Sequence, residues 1–312
     1  MKSITIVIPV YNGASTILNL VQTVLTELNQ LKVEIVLVND GSKDNSQVVC
    51  HQICQTYSNV KFLNLRKNFG EHNAVMCGLN YATNEYVAII DDDFQNPPSE
   101  IIKLLNTALK DDYDVVYSYY AIKKHTFLRN LGSQFNNLVA TWLLNKPKNL
   151  YLSSFKLIKL DLVKDIIKYS GPFPYIDGLI LRLTRNIGTV LVEHNERMEG
   201  KSNYTISKLA SLYFNMFINF SVKPIRFFTI TGILSFLLAV LFSFYIAYER
   251  LILNNTPPGW AFTTIQALAL HGLEILFLGL IGEYVGKMFL DHNGTPQYSI
   301  KQQINIDDRE KT

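Results

Sequence analysis

Short, β-branched apolar runs alternate with amphipathic stretches along the first part of the chain, and this alternation narrows the fold more than any other feature. Runs at 4–10, 33–38, 60–65, 87–90 and 115–119 have the length and continuity of strands buried on both faces. The intervening stretches 14–29, 71–82 and 99–109, and one ending near Tyr57, carry helical periodicity. In the first of them Leu18, Val21, Leu25 and Leu28 mark a buried face, and Asp44 or Ser46 is placed to cap the second. Strict strand–helix alternation predicts a doubly wound, Rossmann-like, mostly parallel α/β sheet. In such a sheet ligands sit beyond the carboxyl ends of the strands. Those ends carry Tyr11-Asn12-Gly13, Asn39-Asp40-Gly41-Ser42, Asn68-Phe69-Gly70 and Asp91-Asp92-Asp93, the arrangement of a nucleotide site. No G-x-G-x-x-G follows the first strand and no G-x-x-x-x-G-K-[ST] occurs, which argues against dinucleotide and P-loop chemistry.

The stretch VAIIDDDFQNPP at 87–98 is the most pointed of these ends. On extended backbone Asp91 and Asp93 would share a face while Asp92 points away. Two carboxylates with the Gln95 oxygen make a hard, all-oxygen set suited to Mg²⁺ or Mn²⁺, an ion that keeps positions open for a diphosphate. The competing reading is a solvated acidic turn leading into the next helix. Further on, Lys123, Lys124, His125 and Arg129 open an amphipathic segment at 127–144, and Ser153 to Lys156 opens a short strand. A helix is expected from Pro174-Tyr175-Ile176-Asp177, and a late strand at 190–195 runs into a polar loop, 196–204. His125 and His194 lack metal-ligand spacing.

A formal net charge of +3 is too mild to point to nucleic acid. Mean hydropathy is high at +0.11, and the apolar excess lies after residue 224. The run 225–248 exceeds the ~20 residues needed to span a bilayer. A second candidate, 261–289, contains His271, Glu274 and Glu283, and Pro257-Pro258-Gly259 joins the two as a hairpin. Lys201, Lys208, Lys223 and Arg226 before the hairpin and Lys287 after it, against a lone Arg250 between, predict cytoplasmic termini. Residues 209–220 read as a helix lying in the membrane interface. Gly282 and Gly286 have the spacing of a close helix–helix contact. Cys50, Cys54 and Cys77 give no disulfide framework and read as buried small residues. The N-terminus lacks a signal-peptide pattern and reads as a first strand. The expected organisation is a cytosolic domain (1–204), an interfacial helix (205–223), a transmembrane pair (224–290) and a cytosolic tail (291–312). The expected location is the inner (plasma) membrane, multi-pass, with the chain working as a homo-oligomer.

A cytosolic nucleotide-plus-metal site joined to a membrane hairpin suits an enzyme that delivers part of a soluble donor to a lipid. The motifs that carry a family resemblance run the length of the chain: IPVYNG (8–13), VNDGSKD (38–44), RKNFG (66–70), DDDFQNPP (91–98), SFKL (154–157), ERMEGKSNY (196–204), NFSVKPIR (219–226) and GEYVGK (282–287). In these the chain resembles the family 2 inverting glycosyltransferases with the GT-A fold, in their polyprenyl-phosphate sugar transferase branch. The resemblance implies transfer of a sugar, a UDP-linked hexose by preference, to undecaprenyl phosphate with inversion.

It also implies site roles. Pro9 and Tyr11 would line the nucleotide pocket and Asp40 would bond the base, with Asp91 on the ribose or base side and Asp92 alongside. Asp93 and Gln95 would hold Mg²⁺ or Mn²⁺ on the donor diphosphate, and Arg197 would clamp phosphate. Arg129, Lys156 and Lys201 would meet the lipid phosphate. If a general base exists, Asp177 and Asp93 are the candidates. Two positions depart from the pattern: Gly13 stands where the family has Glu, and Ser154 stands where an Asp is usual. The rival readings are a membrane-anchored, non-catalytic nucleotide-sugar-binding scaffold and a processive polysaccharide synthase. The second would need Gln-x-x-Arg-Trp, and neither Trp142 nor Trp260 stands in that context.

Overall fold

The computed structural model describes residues 2–120, 141, 146–147, 149–195, 230–231, 234, 241 and 260–306. The chain divides into two units, Met1–Asn203 with Gly294–Thr312, and Tyr204–Asn293. The first unit begins with β1 (Ser3–Val10), α1 (Ile17–Glu27), β2 (Lys32–Asn39), α2 (Ser46–Thr56) and β3 (Val60–Leu65). It continues through α3 (Glu71–Leu79), β4 (Tyr86–Ile89), α4 (Glu100–Asp111) and β5 (Val115–Tyr120). After these come β6 (Lys156–Lys159), α5 (Leu160–Ile166), α6 (Ile176–Leu183), β7 (Ile187–Val192) and finally β8 (Ile300–Ile304). All five predicted early strands form, because runs such as Ile6-Val7-Ile8 are fully buried between helical layers. Each such side chain contributes about 1.5–3 kcal/mol by leaving water.

One sheet holds all eight strands in the order β7-β5-β6-β4-β1-β2-β3-β8. Its centre is parallel, β4-β1-β2-β3. Simple alternation would set β5 beside β4. Instead β6 lies between them, antiparallel to both, with Lys156 opposite Ile89. That insertion brings the Ser153–Lys156 turn to the same sheet rim as the acidic cluster. β7 begins three residues earlier than expected. Gly188 sits inside it, where the Tyr113 ring leaves no space for a Cβ.

The segment after residue 291, expected as a separate tail, contributes β8, an antiparallel edge strand on β3. Asn305 anchors its end, with Nδ2 donating to the carbonyls of Cys54 (2.7 Å) and Val60 (2.9 Å). Gln297 Nε2 bonds the carbonyls of Tyr169 and Gly171. At the amino ends of the strands, Glu34 accepts from Thr5 Oγ1 (2.7 Å), Thr83 N–H (3.2 Å) and Thr83 Oγ1 (2.9 Å), and pairs with buried Lys61 at 2.8 Å. Cys50, Cys54 and Cys77 are buried in the core, as expected.

In the second unit the expected second hairpin limb falls within one long helix, α7 (Trp260–His292). His271 and Glu274 meet on it at 3.1 Å. Among the described residues no helix is long and apolar enough to cross a membrane. The expected interfacial helix and most of the first limb lie outside the described residues, as do Arg129, Arg197 and Lys201.

Candidate functional site

The site is assembled from loops at the carboxyl rim of the sheet. The turn after β1 is stitched to its neighbours through four consecutive amides. Tyr11 N–H donates to Asp92 Oδ2 (3.2 Å), Asn12 N–H to Ser42 Oγ (3.0 Å), Gly13 N–H to Ser46 Oγ (3.0 Å) and Ala14 N–H to Asp44 Oδ2 (3.1 Å). Asn12 takes a left-handed conformation, φ 57°, which Asn tolerates. Asp44 Oδ1 accepts the Ser46 amide at the start of α2, one of the two side chains expected there. This leaves the Tyr11 ring exposed and Pro9 half-buried at the end of β1.

Asp40 is buried, and its carboxylate holds the next loop: Oδ1 accepts Phe69 N–H (2.7 Å) and Oδ2 accepts Gly70 N–H (2.9 Å). Burial pushes its pKa up, and the two amides oppose that shift. Gly41, at φ 62°, packs so closely on Lys67 and Asn68 that no side chain would fit. The residue expected to bond a base therefore also shapes the loop beside it.

Beyond β4 the backbone leaves the extended form, and Phe94 turns it through the left-handed region at φ 59°. For a bulky residue that costs about 1–2 kcal/mol, held here by packing against the core. The three carboxylates diverge. Asp91 Oδ2 accepts the Ser154 hydroxyl at 2.7 Å, Asp92 reaches the β1 turn, and Asp93 Oδ1 accepts Gln95 N–H at 3.2 Å. The Gln95 carbonyl takes Asn195 N–H (2.8 Å), tying this loop to the end of β7, two residues before Arg197. Loss of water, with the Glu71 charge adding to it, pushes Asp91 up to about 6. Loss of water raises Asp92 to about 7, the Tyr11 amide opposing and the neighbouring carboxylates adding to it.

Lys156 and Asp177 form a buried ion pair at this rim, and Tyr117 Oη donates to Asp177 at 2.8 Å. The Lys156 ammonium also lies 5.1 Å from the Tyr117 ring centre. Lys156, expected at a lipid phosphate, and Asp177, expected as a base, are thus brought together and hold each other. Sequence reasoning missed Glu71 and His72, in the first turn of α3. Glu71 has its pKa raised by loss of water, eased by Lys156 and reinforced by Asp177 and Asp93. His72 packs edge-on to Tyr175, ring centres 5.1 Å apart, and burial pushes it down to about 4. Their only signal was a position just after Gly70 at a strand end.

Among the described residues no three ligating side chains are gathered into a metal cage. The oxygen side chains close together here, Asp91 and Asp93 among them, are nevertheless the donor type that fits a hard cation completing its coordination on a diphosphate.

The profile of the family described as "Glycosyl transferase family 2" matches residues 5–167. The chain is 28% identical over 318 residues to an undecaprenyl-phosphate 4-deoxy-4-formamido-L-arabinose transferase of Yersinia pestis (strain Pestoides F), covering 99% of this chain and 96% of that one. An uncharacterized glycosyltransferase of Bacillus subtilis (strain 168) is 27% identical over 308 residues, 98% and 95% covered. Among solved structures, glucosyl-3-phosphoglycerate synthase of Mycobacterium tuberculosis, in complex with Mn²⁺, UDP-glucose and phosphoglyceric acid, superposes with TM-score 0.51. It is 18% identical, over 68% of this chain and 76% of that one, which establishes a shared fold.

Proposed function

The chain belongs to glycosyl transferase family 2, and from this we propose that it moves a sugar from a nucleotide sugar to a polyprenyl phosphate with inversion at the anomeric carbon. The observation that carries the proposal is the joining of three loops at one rim: the Tyr11 turn, the Asp91–Gln95 loop and the Ser154–Lys156 turn. Near end-to-end similarity to a transferase named for undecaprenyl phosphate supports the acceptor class. A synthase of the same fold described with Mn²⁺ and UDP-glucose supports a uridine donor.

In this reading Tyr11 and Pro9 line the nucleotide, and Asp40 sets the Phe69–Gly70 loop beside it. Asp93 and Gln95 would hold Mg²⁺ or Mn²⁺, which when bound supplies positive charge to the departing diphosphate. Arg197 follows the strand end tied to Gln95 and suits a second phosphate contact. The acceptor needs little help from a base. A phosphomonoester has its second pKa near ~6 and arrives mainly as a dianion. Positioning and charge neutralisation then carry most of the rate. Asp177 keeps Lys156 fixed, and Arg129 and Lys201 remain the candidates for the lipid phosphate. The segment after residue 224 would meet the lipid, and exposed Leu278, Ile281, Val285, Met288 and Phe289 on α7 suit it.

The test is transfer of label from UDP-sugars and GDP-sugars to undecaprenyl phosphate in membranes containing the full chain. Label should enter the organic phase and disappear with Asp93→Asn. No transfer from any donor would discard the proposal, and full activity of Asp93→Asn would discard the metal assignment.

A further inference from the structure

Four amides in succession, Tyr11 to Ala14, each donate to a side chain from another loop. Three of those side chains, Ser42, Asp44 and Ser46, come from the β2–α2 connection and the first residue of α2. The fourth, Asp92, comes from the acidic loop after β4 and links the turn to it. Its carboxylate lies against Gly13. A Cβ built on Gly13 would stand 3.0 Å from Asp92 Cγ and closer still to Oδ2, so no side chain fits while Asp92 keeps this position. Gly13 has no positive φ to explain it. The glycine is required by the approach of the carboxylate rather than by backbone conformation.

We propose that Asp92 is a positioning residue for the donor: its carboxylate fills the space left open at Gly13 and holds the Tyr11–Gly13 turn in the shape that presents Tyr11 to the nucleotide. The inference rests on the donor reading above and adds a role for the middle carboxylate distinct from that of Asp93. Tyr11 is 40% exposed with its backbone fixed, which suits a ring offered to a base or ribose. A neutral Asn at 92 can still accept the Tyr11 amide through its side-chain oxygen; an Ala cannot. An Ala at 13 displaces the carboxylate without touching Asp92 itself.

The experiment measures UDP binding in the presence of Mn²⁺ by titration calorimetry, with GDP as a second ligand for wild type and with steady-state rates, for wild type, Asp92→Ala, Asp92→Asn, Gly13→Ala and the Asp92→Ala/Gly13→Ala pair. Loss of the hydrogen bond that fixes the turn should weaken UDP binding and raise donor KM about tenfold, with kcat changed less than about twofold. Asp92→Asn should recover most of the loss, Gly13→Ala should reproduce it, and the double variant should be no worse than either single one. If Asp92→Ala fails to fold, Gly13→Ala against Asp92→Asn still decides the matter. Wild-type UDP affinity in both Gly13→Ala and Asp92→Ala overturns the inference alone, as do losses that multiply. Wild-type protein that binds neither UDP nor GDP overturns the donor reading and this inference with it.

Discussion

The two rims of the same sheet treat their carboxylates in opposite ways. At the amino rim Glu34 has a cation at 2.8 Å and three hydrogen-bond donors, so its charge is answered inside the fold. At the carboxyl rim Asp91, Asp92, Asp93 and Glu71 crowd one another, and Lys156, the nearby cation, is already paired with Asp177. One arrangement completes itself. The other gathers like charges close together, an arrangement that a bound cation would relieve.

The sharpest way to break this contrast is to remove one charge from each rim. Asp93→Asn should lower transfer by about 10³-fold while leaving the denaturation midpoint where it was, since electrostatic stabilisation lost from a reacting centre has that size. Glu34→Ala should do the reverse. It leaves Lys61, at 7% side-chain exposure, with the Tyr81 carbonyl but without its counter-charge, and should cost about 3 kcal/mol of stability in urea unfolding, with kcat of the folded fraction within about twofold of wild type. A Glu34 variant that kept its stability, or an Asp93 variant that lost it, would erase the distinction.

A second test uses pH. His72 titrates near 4 in the folded protein, mainly because burial disfavours its charge, against about 6.5 when unfolded. Between those values the unfolded chain binds the extra proton, so this contribution is complete above about 6.5 and is lost as pH falls toward 4. Chemical denaturation should show a loss of about 2 kcal/mol between pH 7.5 and pH 5 that His72→Gln removes. An unchanged slope in that variant would place His72 outside the buried cluster.

How much of this was legible in the sequence follows the same division between local and non-local signals. The central strands announced themselves because burial on both faces demands continuous apolar runs, which are a property of a few adjacent residues. β8 gave no such signal. Ile300-Lys301-Gln302-Gln303-Ile304 is an edge strand with a polar middle, paired to residues more than 230 positions earlier. Glycine at 188 hid the start of β7, since the ring that requires it, Tyr113, lies 75 residues away. At the site, Asp91 to Gln95 could be read because they are consecutive. Glu71 and His72 could not, because only the fold brings α3 against Asp177 and Lys156. The pairing of Asp91 with Asp93 was legible for the same reason as the run itself: both act on Glu71, while Asp92 turns to the Tyr11 amide.

Ser154 offers the smallest and most discriminating comparison. It replaces an Asp expected from the family pattern, and a hydroxyl cannot serve as a base at neutral pH. Its hydroxyl instead donates to Asp91 Oδ2 at 2.7 Å, opposing the loss of water and the Glu71 charge that together raise Asp91 to about 6. An Asp at 154 would add a further carboxylate beside Asp91, Asp93 and Glu71. Ser154→Ala should therefore cost little, about 1 kcal/mol, seen as a few-fold loss of transfer with no change in stability. Ser154→Asp should be the more harmful of the two at neutral pH, and should respond more steeply to added Mn²⁺, because it sets another negative charge against the Asp91 carboxylate. If Ser154→Asp instead raised activity at low Mn²⁺, position 154 would be waiting for a base, and the carboxyl rim would be organised around proton transfer rather than around charge awaiting a counter-ion.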